Sequence, residues 1–279
     1  MLNHNSVCNY ETSAEAFKDL YSIISTVGDD VVTRSFNRRE LCNIMIVINN
    51  PLRRSDFVDG RGWNLRCAFA EFLWYMSATP LIKELEKYIP RWAEFSDDGE
   101  TVNSNYGVYW LRQVPGLIKE LKRDPASTRA VLTMYNGDLW CNFNKVTRDV
   151  PCTVSIQFFI RNKRLDMTVY MRSNDLWWGF CNDQFSFTFL QELIANELGI
   201  VVGTYTHFAG SLHIYERHFG KQLDEIHTSI VTPTKATFSN FWKDVVSADN
   251  NDLILKLASE TSVDISGFIA DYHNQGNAR

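Results

Sequence analysis

No stretch of this sequence approaches the roughly 20 consecutive apolar residues that a membrane span requires, and none pairs two cysteines as Cys-x-x-Cys. The six cysteines (Cys8, Cys42, Cys67, Cys141, Cys152 and Cys181) lie far apart, which argues against a zinc site or a dithiol redox motif. An excess of basic residues is also missing. The chain carries 28 Lys and Arg against 33 Asp and Glu, a net charge of −5, without the basic stripe of a nucleic-acid binder. A small anionic ligand needs only a local cluster of arginines. The first 17 residues contain no apolar run, so no signal peptide is expected. There is no internal repeat, low-complexity linker or evident domain boundary. The expectation is one soluble, cytoplasmic domain over 1–279, with a more polar C-terminal extension over about 222–279 and no metal, nucleic-acid or membrane partner.

What the chain does have is apolar residues at 45% and aromatics at 13%, enough for a substantial core in 279 residues. Ala16, Phe17, Leu20, Tyr21 and Ile24 fall on one face of a helix predicted over 13–26. Residues 42–49 read as a buried strand stopped by Asn49-Asn50-Pro51. Helices are predicted over about 64–77, 80–88 and 109–123, the last ending at Asp124-Pro125. Strands follow at 130–135, 153–160 and 165–172, the last two joined by the hairpin turn Arg161-Asn162-Lys163-Arg164. A long apolar helix over about 184–198, a strand at 200–207 and a helix near 237–247 complete the pattern. Strands and helices without regular βαβ spacing indicate an α+β fold.

A few residues carry possible chemistry. Cys152 follows Val150-Pro151 at a strand start, where a side chain can project into a cleft; a lone cysteine is otherwise an inert buried residue. As a thiolate it would be a nucleophile, and nearby arginines would lower its pKa. Arg172 and Ser173 read either as a phosphate grip, a guanidinium fork with a hydroxyl beside it, or as a solvated strand end. His213 and Tyr215, two residues apart, share a face if that stretch is extended, and would either hold a sugar hydroxyl or be half-buried strand residues. Glu71 lies in the apolar helix Ala68-Phe69-Ala70-Glu71-Phe72-Leu73-Trp74. A carboxylate there needs a partner, and burial raises its pKa toward values useful for proton transfer.

In order and local sequence these pieces resemble the thymidylate synthase superfamily over roughly residues 30–218. The nucleophile motif appears as Pro151-Cys152, and the Arg-Ser-x-Asp motif as Arg172-Ser173-Asn174-Asp175 followed by Gly179. The sugar motif appears as His213-Ile214-Tyr215-Glu216-Arg217-His218, and the catalytic glutamate's helix as Glu71-Phe72-Leu73-Trp74. Asn105-Tyr106-Gly107, with Trp92 upstream, completes the set. The resemblance implies a thymidylate synthase-like α+β fold, a large mixed β-sheet flanked by helices, and a homodimer formed through the sheet face. It implies nucleotide contacts from Arg34, Arg129, Arg172, Ser173, Asp183, His213 and Tyr215. It also implies 5,10-methylenetetrahydrofolate as co-substrate against Asp175, Trp92, Gly179 and Tyr106, without a metal. Arg129 would reach the partner's phosphate site. Thr128 stands where the family has a first arginine, and Arg38 or Arg39 is placed to compensate.

Family members acting on uridylate place an Asn shortly after the Gly to read the base; in register, that position is Asp183 here. Uracil offers an N3–H donor and an O4 acceptor, which one carboxamide complements. Cytosine offers an N4 donor and an N3 acceptor, which a protonated Asp complements, and the wrong base leaves buried groups unpaired at about 1–3 kcal/mol each. A one-residue slip would give the reading to Asn182 instead. Thr153 after the nucleophile and the phrase Arg-Ser-Asn-Asp resemble the deoxycytidylate hydroxymethylase branch. The expected activity is thus folate-dependent C5 hydroxymethylation of a cytidine nucleotide, dCMP to 5-hydroxymethyl-dCMP, with Cys152, Glu71 and Asp183 catalytic. The alternatives are a CMP 5-hydroxymethylase, a methyl-forming synthase on a uridine or cytidine nucleotide, and a catalytically dead RNA-binding relative.

Overall fold

The computed structural model describes residues 4–33, 36–135, 148–229 and 233–247, without the side chains of Glu84 and Ser247. An eight-stranded mixed sheet organises the chain. Its path is β1 (Val7–Tyr10), β3 (Asn37–Ile48), β9 (Val201–Tyr215), β7 (Arg164–Met171), β6 (Thr153–Arg161) and β5 (Val131–Thr133). Off that path, β2 (Asp29–Val32) pairs with β3 and β8 (Asn174–Asp175) with β9; β4 (Phe57–Val58) and β10 (Ile226–His227) form a separate ribbon. The 15-residue β9 is the spine, antiparallel to β3 and parallel to β7 and β8.

The strands alternate as a sheet with one covered face should. Leu165, Met167, Val169 and Met171 of β7 are buried, while Thr168 is half-buried and Tyr170 exposed. On that second face the register places Met45 opposite Phe208, Val47 opposite Thr206, and Thr168 beside Thr206. The covered face carries α1 (Ser13–Val27) and α6 (Cys181–Leu198), and α2 (Leu65–Ser77) packs on α6. Every residue of α6 from Gln184 to Ala195 is buried, so this helix is enclosed on all sides. Its Phe189 ring lies 4.7 Å from Phe72 of α2 and 5.6 Å from Phe241 of α7 (Phe238–Ser247). The helix near the C-terminal end of the described chain thus packs into the same core.

The expected helices at 13–26, 64–77, 109–123 (α5, Gly107–Arg123) and 237–247 are all present. Asn162 and Lys163 both have positive φ (51° and 59°), the two-residue hairpin turn whose twist suits the flanking strands. The expected helix at 80–88 is reduced to the single turn α3 (Lys83–Glu86). Leu81, just after Pro80, is drawn into a bridge with Thr101, and Pro90 follows closely. A further turn, α4 (Trp92–Phe95), follows α3. Among the described residues no helix is long and apolar enough to cross a membrane.

Enclosing α6 strands its polar residues, and Gln184, Gln191 and Glu192 all find partners, whereas the Ser186 hydroxyl has none in the protein. Gln184 donates to the Arg54 and Cys181 carbonyls, and Gln191 to those of Leu165 and Thr204. Glu192 pairs with Arg54 at 2.7 Å, the side chains only 2% and 0% exposed, and accepts from the Thr234 amide. Arg54 also lies over the Phe189 ring. Removing one partner leaves the other charge buried and alone. Arg54→Ala is expected to lower unfolding stability by about 3–5 kcal/mol, whereas the paired change Arg54→Leu with Glu192→Leu recovers most of it. Chemical denaturation checks this; a loss below about 1 kcal/mol for the single variant contradicts it.

Candidate active site

Cys152 immediately precedes β6. Its carbonyl accepts the Arg172 amide at 2.9 Å, so Cys152 and Arg172 face each other across the β6–β7 ladder. A bulge between Thr153 and Ser155 interrupts the register just after the cysteine, a device that re-aims the side chains around it. The Arg172 guanidinium donates to the carbonyls of Pro151 (3.0 Å) and Val150 (2.7 Å), and one nitrogen lies 3.7 Å from Cys152 Sγ. Burial pushes the Cys152 thiol up to about 11; Arg172 opposes the rise, and the nearby carboxyls of Asp183 and Asp149 add to it.

Glu71 enters from α2 with its side chain inside the protein. Asn182 donates to its Oε2 at 2.9 Å and Tyr75 to its Oε1 at 3.4 Å, and the Trp92 indole lies in hydrogen-bonding range of the carboxyl. Asn182 accepts from Trp63 Nε1 at 2.9 Å. Burial raises the Glu71 pKa to about 7 against the lowering effect of Asn182, Trp92 and Tyr75. At neutral pH this carboxyl is poised between its two forms.

Asp183 and Asn182 stand at the start of α6, behind a five-residue π-turn, Leu176–Phe180, capped by the Asp175 carboxyl. The two side chains part there. Asn182 faces Glu71, whereas Asp183 accepts from Asn174 Nδ2 at 2.7 Å. A Cβ on Gly179 would come within 3.0 Å of Asn174 Nδ2 and 3.3 Å of an Asp183 oxygen, so the glycine lets this pair close against the backbone. Burial raises the Asp183 pKa well above the carboxylate range and the Glu71 charge raises it further, against the Asn174 hydrogen bond.

His213 and Tyr215 share a face of β9 with ring centroids 5.0 Å apart. Burial, then the Arg38 charge, lowers the His213 pKa to about 3, so the ring is neutral, and its buried Nε2 has no protein partner. Asp175 lies opposite His213 in register, its pKa raised to about 6 by burial against donors from Trp177 and Trp178. Ser173 is half-buried between Arg172 and Asn174. Trp92 is half-buried against Trp74 at 5.1 Å. Tyr106 is buried, stacked on Tyr75 at 5.0 Å, with its hydroxyl accepting the Thr153 amide, so it braces the start of β6 next to Cys152. Gly107 has a steric reason in the same motif: a Cβ there would overlap the Tyr75 carbonyl oxygen at 1.4 Å. Arg129 is exposed. Arg38 pairs with Glu40, and Arg39 with Asp30. Arg34 lies outside the described residues.

Sequence reasoning passed over four residues here: Asn174 and Trp63, Asn182 in its role beside Glu71, and Asp149. Asp149 is buried and accepts from the Ser104 amide and hydroxyl near Cys152. An amide-bearing residue inside each carboxyl-bearing motif (Asn174 in Arg-Ser-Asn-Asp, Asn182 beside Asp183) was the one available signal.

A family model described as thymidylate synthase matches residues 17–255. The chain is 34% identical over 227 residues to the deoxyuridylate hydroxymethyltransferase of Bacillus phage SP01, covering 76% of this chain and 59% of that protein. It is 31% identical over 185 residues to the deoxyuridylate hydroxymethyltransferase of Pseudomonas phage M6, covering 64% and 52% respectively. Over 163 residues it is 30% identical to the deoxycytidylate 5-hydroxymethyltransferase of Enterobacteria phage T4, covering 53% and 66%. The chain spans little more than half the length of the first two of these relatives.

The raised thiol gives a direct expectation for the free protein. Alkylation of Cys152 by iodoacetamide, followed by peptide mass mapping, should be slow at pH 7 and keep accelerating up to about pH 11. Arg172→Ala should slow it several-fold at pH 8 by removing the charge that favours the thiolate. A rate that levels off by pH 8, or that Arg172→Ala leaves unchanged, contradicts the assignment.

Proposed function

The chain belongs to the thymidylate synthase family, matched over residues 17–255, and from that premise we propose that it hydroxymethylates C5 of a deoxycytidine monophosphate. The observation that carries the choice of base is Asp183. It accepts from Asn174 Nδ2 and has its pKa raised, so a protonated carboxyl is available beside Cys152. Such a carboxyl donates to N3 of cytosine and accepts from N4, whereas uracil puts a donor against its proton.

In this reading the Cys152 thiolate adds to C6, forming the S–C6 bond. The electron pair moves to C5 and the N3 edge, where Asp183 supplies a proton or hydrogen bond to the developing charge. Arg172 and Ser173 hold the phosphate, Arg172 exchanging its backbone carbonyl partners for phosphate oxygens. The neutral His213 and Tyr215 take the sugar hydroxyl. Asp175, close in the chain to the exposed Trp178, offers a carboxylate acceptor beside a flat apolar ring, which fit a pterin. Methylenetetrahydrofolate bound there supplies a one-carbon unit at the oxidation level of formaldehyde and leaves as tetrahydrofolate. C5 gives up its proton as it takes the one-carbon unit and tetrahydrofolate departs, which leaves an exocyclic methylene; Glu71 holds the water that adds to it, and Cys152 is then expelled as the C5–C6 double bond re-forms. Hydroxymethyl rather than methyl as product is supported by the names of the phage relatives in both base classes.

A second copy is expected on the uncovered sheet face, where Met45, Val47, Thr206, Phe208 and Thr168 form a half-exposed row. Exposed Arg129 would then reach the partner's phosphate. Thr128 stands in place of the first of the family's two arginines, and Arg38 and Arg39 are engaged within the chain. The rival reading is deoxyuridylate as substrate, favoured by the SP01 and M6 relatives.

The test is tritium release from C5-labelled dCMP, CMP, dUMP and UMP with methylenetetrahydrofolate, followed by the mass of the product. dCMP should release tritium fastest and become the hydroxymethyl nucleotide, and Cys152→Ala should abolish release. Asp183→Asn should move preference toward dUMP by about 10- to 100-fold, the equivalent of one or two mismatched buried groups. Faster release from dUMP by the wild type establishes the rival. Release from none of the four sinks both.

A further inference from the structure

Asn182 stands one residue from the base-reading position and faces away from it. Its amide is pinned from behind. An indole N–H can only donate, so the Trp63 contact at 2.9 Å requires the Asn182 oxygen on that side. The amide nitrogen is thereby left facing Glu71, to which it donates at 2.9 Å. The indole is itself fixed: it packs edge-on against Phe185 of α6 at 6.3 Å, and the buried Arg61 lies over its ring at 5.7 Å. A rigid donor aimed at one carboxyl oxygen selects both the orientation of that carboxyl and its ionised form.

We propose that Asn182, held by Trp63, is a positioning residue that fixes the Glu71 carboxyl in the orientation and charge state its role with water requires. The proposal rests on the reading of Glu71 given above and assigns a function to two residues outside the family motifs.

The charged and titratable groups around Glu71 leave this task to an uncharged donor. Tyr75 and Cys67 on its own helix, with their raised pKa values, remain neutral, and from α6 the nearby carboxyl is Asp183. None of these supplies a positive charge, and burial works against ionisation. Asn182, Tyr75 and Trp92 are what hold the Glu71 pKa down to about 7, and Asn182 is foremost among them. Because the Glu71 charge also raises Asp183, a donor that keeps Glu71 ionised helps to keep the proton on Asp183. The site then holds one charge and one proton on two neighbouring carboxyls.

The experiment follows the titration of Glu71 by carbon-13 NMR of labelled carboxyls in the wild type, Asn182→Leu and Trp63→Phe. Tritium release is measured against pH in parallel. The wild-type midpoint should lie near 7 and rise by about one unit in Asn182→Leu and by less in Trp63→Phe. The acid limb of kcat should move with it, costing about fivefold at pH 7 but recovering to within about twofold above pH 8.5, with the nucleotide KM within about twofold. Recovery at high pH is what mere damage to the fold would not produce. Should Asn182→Leu fail to fold, Trp63→Phe reads out the same displacement. A Glu71 midpoint that stays in place, or a loss of rate equal at every pH, overturns the proposal. A shifted midpoint in a protein whose rate ignores it upholds the clamp and overturns instead the role given to Glu71.

Discussion

Two carboxyls, Glu71 and Asp183, stand close enough to feel one another in a part of the protein from which most water is excluded, and the site is arranged around that constraint. The cost of ionising both in a low-dielectric surround is several kcal/mol, so one of them holds its proton. Asp183 lies in the first turn of α6, where the helix dipole favours a negative charge by about 0.3–1 kcal/mol. That is too little to reverse desolvation, and its pKa stays high. Glu71 has three donors where Asp183 has the one from Asn174, which places the charge on Glu71 and the proton on Asp183. On the proposed reading, the cytosine-reading acid and the water-holding base both derive from the same inequality.

The fold supplies the geometry for this. Because α6 is enclosed by the sheet and by α2 and α7, its N-terminal end is fixed by packing along its whole length. The π-turn before it sets which neighbour, Asn182 or Asp183, turns toward which partner. On the other side, the β6–β7 ladder and the bulge beyond Cys152 set the sulfur opposite Arg172, and β8 carries Asn174 alongside β9, which bears His213 and Tyr215. Four segments distant in sequence meet at one place because β9 pairs with three strands at once.

Much of this was legible in the chain. Apolar periodicity marked α1, α2, α5 and α6 to within a few residues, and Asn162-Lys163 marked the hairpin. Strand lengths were not: β3 begins at its polar end, Asn37, and β9 runs on to Tyr215, because the two extensions pair with each other along the ladder, Arg38 opposite Tyr215 and Glu40 opposite His213. The helix over 80–88 failed for a related reason, since a bridge from Leu81 to Thr101 spans 20 residues of sequence. In the site, the residues that bear chemistry stood out by type and order. Their supports did not. Asn174, Asn182 and Trp63 act through single hydrogen bonds to groups brought near only by the fold, and no periodicity encodes such a contact.

The central claim is that Cys152 and Asp183 address opposite edges of one cytosine. Intact-mass and peptide mapping after incubation with methylenetetrahydrofolate and 5-fluoro-dCMP or 5-fluoro-dUMP would test it most directly, because a C5–F bond blocks the proton loss that releases the enzyme. The account predicts a stable nucleotide adduct on the peptide containing Cys152, formed faster from the fluorocytosine nucleotide. No adduct from either nucleotide, or one on a different cysteine, would contradict it.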